Sequence, residues 1–554
     1  MNGSETTRQT AGTPCIRNLR IFAFLALLIC IGFPLAALLT GLRAPQAMIG
    51  DEVTHYSLLA HQADVFPEVT FEVPIATGWG EPEVRNYAHS NLWHYFGAAL
   101  FRLLPSFATI QIYHSLFFLQ LLLAGLLLIR RRLNSDSLGV ILYLLVLASL
   151  PMSLIFSVAF YQDVPMTAQI LTAFCLLDRR RWVWGTIFLA LAFEVKETAV
   201  LFIPGFLAML AAQRWGDARG LARAARWNRL LIPLALSAIL LWLPMQVTDR
   251  MLEPYGGFYP FRQIEAVAER AAEIASPPKP VDTRKKPASP AKKKQQSISI
   301  YENSISAYHP GDLREPKNWA IYGGGVLWVV VLGGVAAWGL RRTRLVGART
   351  EMPSPWPFWV AVSFLGPAIF LLKASPDARF FYPALPLLLI PLVEAAARIV
   401  RPRMWISALA LLALVQTGLV LHKTLELREV SPSLREAIAF LKEHPPAPPR
   451  VFMYPEGSYR LFPVPHDWYL GDHLREFWLR DNEYRLQLLA QRKIGAIVLK
   501  KYRVAAADAR VSNLGIYPDF FAEQLDADAR FRRVFDNDAI AIYEWDAPAL
   551  MPPE

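Results

Sequence analysis

The sequence has little charge and few cysteines. Only 19% of its 554 residues are charged, whereas 54% are hydrophobic. A soluble protein of this length carries more charge and fewer long apolar runs, so the composition indicates a polytopic membrane protein. Because there are only three cysteines, two of them within apolar runs, we expect no disulfide framework.

The chain also lacks the basic face of a nucleic-acid-binding protein, although its formal net charge is +11. Its arginines form short clusters between apolar runs, which is typical of cytoplasmic loops of membrane proteins. A cleaved signal peptide is not expected either. The first apolar run, 21–42, is longer than a signal-peptide core, so we interpret it as an uncleaved anchor.

Apolar runs of the length that crosses a bilayer, roughly 20 residues, recur along the chain. They begin near residues 21, 108, 138, 164, 183, 199, 230, 319, 357, 380 and 404. Placing five Arg clusters in the cytoplasm, at 130–132, 179–181, 214–229, 341–344 and 398–403, predicts about 11 transmembrane helices with the N-terminus inside. The predicted fold class is a multi-pass all-α membrane protein, with a cytoplasmic tail over 1–20 and a transmembrane domain over 21–423.

This topology places several segments on the outer side. The first outer loop, 43–107, contains a predicted amphipathic surface helix over 91–106. A longer outer loop, 248–318, includes a Lys- and Pro-rich stretch, 276–298, whose composition predicts disorder. Residues 424–554 predict a small extracytoplasmic α/β domain, with Ser431 as the N-cap of its first helix and short strands after it.

Ionisable residues interrupt the apolar segments at one predicted boundary, the outer one. Such residues are costly in a membrane and suggest a functional site. They are Asp51, Glu52 and His55; Asp163; Glu194, Lys196 and Glu197; and Asp377 and Arg379. Structural alternatives stay open: Lys196 could pair with Glu194 or Glu197 in a charged turn, Asp163 could cap its helix, and Arg379 could be interfacial.

These residue types fit the transfer of a sugar from a lipid-linked phosphate. A carboxylate can take the proton of an acceptor hydroxyl, a contribution of about 10²–10⁴-fold in rate. Lys and Arg, or a divalent metal ion, can stabilise the charge of a leaving polyprenyl phosphate. Asp51, Glu52, His55, His89 and His94 lie in one outer segment and could hold a metal ion. They show no tight ligand spacing, and the histidines could as easily make surface hydrogen bonds. The cofactor is therefore unknown, with a divalent metal as one option.

The order of these motifs resembles the glycosyltransferase C superfamily, in particular bacterial lipid A aminoarabinose transferases and the protein O-mannosyltransferase-like group. The resemblance covers nearly the whole chain, but Ser90 and Asn91 stand where the family has two prolines, and Glu197 where a glycine is common. The matching stretches are GDEVTHYSLLAH, HSNLWHYFGAAL, YQDVPM, LAFEVKETAVLFIPG and ARFFYPALPLLL.

The resemblance implies an inverting transferase that moves a sugar from a polyprenyl-phosphate donor to an extracytoplasmic lipid, glycan or protein hydroxyl. It implies Asp51 as the catalytic general base and Asp163 as a second catalytic residue. Lys196 and Arg379 would bind the donor phosphate, and His89 is a further candidate for that contact. The expected location is a bacterial inner membrane, with the active site facing the periplasm.

Two other functions stay open at this point. A transporter or flippase of a lipid-linked saccharide would show internal repeats and helices broken near the bilayer midplane; the sequence has no convincing repeat. A non-catalytic scaffold would use its outer domain to bind a partner.

Overall fold

The protein was analysed as a computed structural model. It describes residues 14–44, 46–48, 52–74, 84–86, 90–133, 137–218, 222–253, 324–327, 329–332, 356–371, 378–399, 402–453, 461–467, 477, 480–500 and 518–545. The Lys- and Pro-rich stretch 276–298 lies outside this part of the chain.

The chain forms two compact units, each built from segments that are distant in sequence. Unit one comprises Met1–Thr40, Phe107–Gln246 and Tyr308–Leu425. Unit two comprises Gly41–Ser106, Val247–Ala307 and Glu426–Glu554. The first outer loop and the C-terminal region of the sequence therefore belong to the same unit.

Unit one is helical. Three of its helices, Phe33–Arg43, Arg223–Leu252 and Pro402–Arg428, end with residues that are assigned to unit two or begin its segments. The helices are α1 (Pro14–Ile31), α2 (Phe33–Arg43), α5 (Phe107–Arg132), α6 (Ser137–Ser149), α7 (Pro151–Val158), α8 (Asp163–Asp178), α9 (Trp182–Val195), α10 (Ile203–Asp217), α11 (Arg223–Leu252), α12 (Trp356–Leu371), α13 (Leu385–Ile399) and α14 (Pro402–Arg428), with 3₁₀-helices at Glu197–Phe202 and Ala378–Ala384.

Several of these helices are long and apolar enough to cross a membrane. Within the described residues there are five, or six if the bent pair Leu138–Ser149 and Pro151–Val158 is one span. The five are Asn18–Arg43, Phe107–Arg132, Glu197–Asp217, Trp227–Leu252 and Ile406–Arg428. The protein is thus a multi-pass membrane protein of largely helical fold, while the predicted number of 11 spans stays a prediction.

Helix α8 lies at the centre of unit one, where it packs against α5 and α9. Close approach of α8 and α9 depends on Gly185, since a Cβ there would come within 2.9 Å of the carbonyl oxygen of Ala173. Small residues permit such contacts between membrane helices. This packing fixes the two helix ends at which Asp163 and Lys196 stand.

The α6–α7 pair is bent by 60°. Pro151 causes the break, because proline has no amide hydrogen and its ring displaces the preceding turn. The Gln416 side chain donates a hydrogen bond to the carbonyl of Ser149, and the hydroxyls of Ser153 and Tyr382 lie 2.8 Å apart. Polar side chains thus satisfy groups exposed by the bend within an apolar bundle.

The described residues of unit two form five helices and two sheets, one of two strands and one of five. Its elements are α3 (Glu52–Val65), β1 (Glu72–Pro74), β2 (Val84–Asn86), α4 (Leu92–Leu103), α15 (Pro432–Glu443), β3 (Val451–Met453), β4 (His466–Asp467), α16 (Asn482–Gln491), β5 (Ala496–Lys500), α17 (Pro518–Asp526), β6 (Phe531–Asp536) and β7 (Ile540–Trp545). Helix α4 corresponds to the predicted surface helix and packs against α3.

The five-stranded sheet has the order β4-β3-β5-β7-β6. Strand β3 pairs parallel with both β4 and β5, whereas β7 pairs antiparallel with both β5 and β6. The Ser431 side chain accepts a hydrogen bond from the Leu434 amide and caps α15, as the sequence predicts. The extracytoplasmic location of this region stays a prediction.

Candidate functional site

The predicted site residues divide between the two units. Asp51, Glu52, His55 and His89 belong to unit two, whereas Asp163, Lys196 and Arg379 belong to unit one. Asp51 and His89 lie outside the described residues. The backbone of Arg379 is part of the 3₁₀-helix Ala378–Ala384, and its side chain is outside the description.

In unit one, Lys196 and Asp163 form a buried ion pair. The Lys196 Nζ donates a hydrogen bond of 2.7 Å to Asp163 Oδ1. Asp163 is 1% exposed and Lys196 is 8% exposed. The structure thus joins two residues that the sequence selected separately, 33 positions apart.

Local structure explains how the pair forms. Asp163 is the first residue of α8, where a carboxylate is stabilised by the helix dipole. Lys196 stands directly after α9, with extended backbone angles that interrupt the helix before Glu197–Phe202. Both side chains therefore lie at the ends of neighbouring helices rather than within them.

The lengths of the helices bear on the depth of this pair in the predicted membrane. Helices α8 and α9 have 16 and 14 residues, which corresponds to about 24 and 21 Å. The hydrocarbon core of a bilayer is about 30 Å thick. If the Arg179–Arg181 turn lies at the cytoplasmic boundary as predicted, the pair stands several ångströms below the outer boundary.

Other polar groups lie at the same break in the helices. Glu197 follows Lys196 and is buried. Gln162 precedes Asp163 and is also buried, and its Nε2 has no hydrogen-bond acceptor among the described residues. Two carboxylates, an amide and an ammonium group thus stand at the ends of α8 and α9.

A second buried ion pair in unit one provides a comparison. Arg132, at the end of α5, donates through Nε and Nη2 to the two carboxylate oxygens of Glu394 in α13. The Arg132 guanidinium also lies 5.7 Å from the ring centre of Trp356. This bidentate pair belongs to the Arg cluster that we predict to be cytoplasmic.

In unit two, Glu52 is fully buried and pairs with Arg428. The Arg428 Nη2 donates a 2.8 Å hydrogen bond to Glu52 Oε1, and its Nη1 donates to the carbonyl of Ala47 at 3.3 Å. The Ala47 amide donates in return to the carbonyl of Arg428, at 2.8 Å. One arginine therefore contacts the chain on both sides of residues 48–51.

Sequence reasoning missed Arg428. It stands 376 positions from Glu52, and no local pattern connects the two. One signal was available: Arg428 ends a spanning helix on the predicted outer side, where the positive-inside rule disfavours arginine.

His55, one turn after Glu52 on α3, contacts α4. Its Nδ1 lies 3.0 Å from the Nε2 of His94, and the two rings are stacked with their centres 5.2 Å apart. The Trp93 ring packs edge-on against His55. One proton between the two nitrogens makes this hydrogen bond, and either ring can be its donor.

The arrangement of these side chains does not by itself identify a metal centre. In the part of the chain that the structure describes, no three His, Cys, Asp or Glu side chains are grouped so as to hold a metal ion. The predicted roles of Glu52 and His55 in metal binding or hydrogen bonding stay predictions.

Comparison with known proteins gives one family match. A family model described as ALG3 protein matches residues 98–238, which is less than half of the chain but includes the Asp163–Lys196 pair. No curated protein sequence matches the chain.

Solved structures resemble most of the chain. ArnT from Cupriavidus metallidurans bound to undecaprenyl phosphate has a TM-score of 0.54 at 11% sequence identity, over 98% of this chain and 100% of that one. The oligosaccharyltransferase of Archaeoglobus fulgidus in its apo form has a TM-score of 0.52 at 11% identity, over 89% of this chain and 70% of that one. The chain therefore has the fold of the glycosyltransferase C superfamily, which confirms the resemblance found in its sequence.

Proposed function

We propose that this protein is a membrane glycosyltransferase that moves a sugar from a polyprenyl-phosphate donor to an extracytoplasmic acceptor with inversion. The observation that carries the proposal is the buried Asp163–Lys196 pair at the ends of two short membrane helices. Ionisable groups are rarely retained at such a depth without a function. A lysine there can meet the phosphate of a donor whose tail lies in the bilayer.

In the proposed reaction, an acceptor oxygen forms a bond to the anomeric carbon as the bond from that carbon to the phosphate oxygen breaks. Asp51 takes the proton of the acceptor hydroxyl as general base. Lys196 and Arg379 stabilise the negative charge of the leaving polyprenyl phosphate, with His89 as a further phosphate contact. Asp163 acts in the same site through Lys196.

One comparison supports this donor class. ArnT, whose fold this chain shares, was determined with undecaprenyl phosphate bound. The ALG3 family match covers the segment with Asp163 and Lys196. We further propose that the protein resides in a bacterial inner membrane with its active site facing the periplasm; the sugar and the acceptor are not specified by these observations.

A transporter of a lipid-linked saccharide is the second candidate, because α6 and α7 form a Pro-broken span. The groups at that break already have protein partners: Gln416 binds the Ser149 carbonyl, and Tyr382 contacts Ser153. The bend therefore offers fewer groups to a substrate than the Asp163–Lys196 region does.

The test uses purified full-length protein in lipid nanodiscs with a panel of undecaprenyl-phosphate sugars, assayed for release of undecaprenyl phosphate and for labelled product. We expect turnover with at least one donor and its loss in Lys196→Gln. Glu394→Gln, which alters the buried Arg132–Glu394 pair of unit one, is the matched control and should retain turnover per folded molecule. Sugar movement across liposome membranes without cleavage of the donor would favour the transporter.

A further inference from the structure

At the start of α8, the carboxylate of Asp163 already has a partner, whereas the side-chain amide nitrogen of Gln162 has none among the described residues. Asp163 accepts the hydrogen bond of Lys196, and both are buried. Gln162 is 6% exposed, and its Nε2 finds no acceptor among the described residues. Buried polar groups in native proteins nearly always have partners, so an orphaned amide donor points to a ligand that accepts hydrogen bonds.

The start of a helix favours an anion. The first amide groups of α8 have no partner within the helix, and the helix dipole stabilises negative charge there. In the observed state, the carboxylate of Asp163 supplies that charge. A phosphate that binds at this helix start could interact with the positive end of the helix dipole, with the Lys196 ammonium and with the unpartnered side-chain amide of Gln162.

A phosphate at Lys196 would have to share the ammonium group with a carboxylate. The Lys196 Nζ already donates to Asp163 Oδ1. A phosphate added to this group would lie near a like charge in a medium of low dielectric constant, where repulsion is strong. An ammonium group on a flexible stem can turn from one acceptor to another, unlike a bidentate guanidinium.

We propose that Asp163 is an exchangeable counter-ion for Lys196: it holds the lysine until a polyprenyl phosphate binds and then gives it up. Gln162 then donates to the same phosphate. This inference rests on the proposed function, because it takes Lys196 as a donor-phosphate ligand. Asp163 is on this account a positioning residue that competes with the phosphate.

The proposal predicts the sign of one effect. Asp163→Asn removes the competing charge and retains the shape of the side chain, so undecaprenyl phosphate should bind roughly tenfold tighter than to the unmodified protein. Product release should slow with it, and turnover with a sugar donor should fall. If Asp163 served only to aim Lys196, the same change would weaken binding.

The experiment titrates full-length protein in nanodiscs with undecaprenyl phosphate, and with undecaprenol as a ligand that has the tail but no phosphate. We expect Asp163→Asn to tighten only the phosphate ligand, Gln162→Leu to weaken it, and Asp163→Asn to have no effect in a Lys196→Gln background. Glu394→Gln controls for the loss of a buried acid. Melting temperatures confirm that each variant is folded.

Weaker or unchanged phosphate binding in folded Asp163→Asn would overturn the exchange while the donor assignment survived. An equal effect of Asp163→Asn with and without Lys196 would also overturn it. Failure of the unmodified protein to bind undecaprenyl phosphate would overturn both the exchange and the proposed function.

Discussion

The Asp163–Lys196 pair of unit one and the Glu52–Arg428 pair of unit two are both buried, yet they are built differently. Arg428 uses two nitrogens for two acceptors, and its backbone carbonyl accepts from the Ala47 amide. Lys196 uses a single ammonium at a break between helices. A guanidinium group that makes several fixed hydrogen bonds is suited to a structural role. An ammonium group is suited to binding one acceptor and then another.

Burial of a charge therefore does not by itself identify a reactive group. An isolated antiparallel β-bridge between Gln46 and Glu429 adds to the contacts that Arg428 makes between the same two segments. Substitutions in the two units can distinguish groups that take part in catalysis from groups that only stabilise the fold.

Asp51 and Glu52 are neighbours in sequence, but we expect opposite consequences from neutralising them. Asp51→Asn removes the proposed base and should lower transfer by about 10²–10⁴-fold, with little change in melting temperature. Glu52→Gln should mainly lower the melting temperature. Initial rates with saturating undecaprenyl-phosphate donor test this, and near-normal transfer by a folded Asp51→Asn protein would remove Asp51 from its role.

Arg428→Met leaves Glu52 as an unpaired buried charge, and we expect a loss of about 3–5 kcal/mol in the free energy of unfolding. Replacing both partners, with Glu52→Leu and Arg428→Met, should recover most of that loss, because the uncompensated charge is gone. Thermal denaturation of the nanodisc-embedded protein measures both. A double variant no more stable than the single one would show that the pair is more than a buried tie.

Lys196→Gln removes the proposed phosphate ligand. Hydrogen bonds that involve a charged group contribute about 1.5–3 kcal/mol, so the dissociation constant for undecaprenyl phosphate should rise by about tenfold or more. Lys196→Arg keeps the charge and should lose less. Binding titrations check this order, and equal affinity of Lys196→Gln and the unmodified protein would contradict it.

The smallest effect concerns the turn between α17 and β6 in unit two. Hydrogen bonds from the Arg530 side chain lower the pKa of Asp528 to about 2 from its ordinary 3.8. A depressed pKa contributes stability above the unfolded pKa and loses it as the pH falls from about 4 to 2. Because Arg530 is largely exposed, we expect Asp528→Asn to cost about 1 kcal/mol at pH 7. The difference in melting temperature should shrink toward pH 2, and a constant difference would be inconsistent with this pKa.

Much of the helical architecture follows from the sequence, because apolar runs and Arg clusters are local signals. The same holds for Ser431, whose position before Pro432 is sufficient to predict a helix cap. Strands at Val451–Met453, Ala496–Lys500 and Ile540–Trp545 also follow from local composition. The division into two units does not, since it joins residues of the first outer loop to residues of the C-terminal region.

The individual residues of the candidate site could be predicted from the sequence, but the contacts between them could not. Asp163 and Lys196 stand out because each is ionisable beside an apolar run. Their contact depends on how α8 and α9 pack, and sequence alone gave Lys196 the closer alternatives Glu194 and Glu197. Arg428 ends a helix and has no local signature of its partner, so only the fold brings it to Glu52.

A structure of the full-length protein with undecaprenyl phosphate bound tests the exchange of Asp163 for phosphate at Lys196 most directly. We predict a phosphate oxygen within about 2.7–2.9 Å of Lys196 Nζ, with Asp163 moved away from the lysine. A phosphate bound elsewhere, with Lys196 still donating to Asp163, would contradict the account.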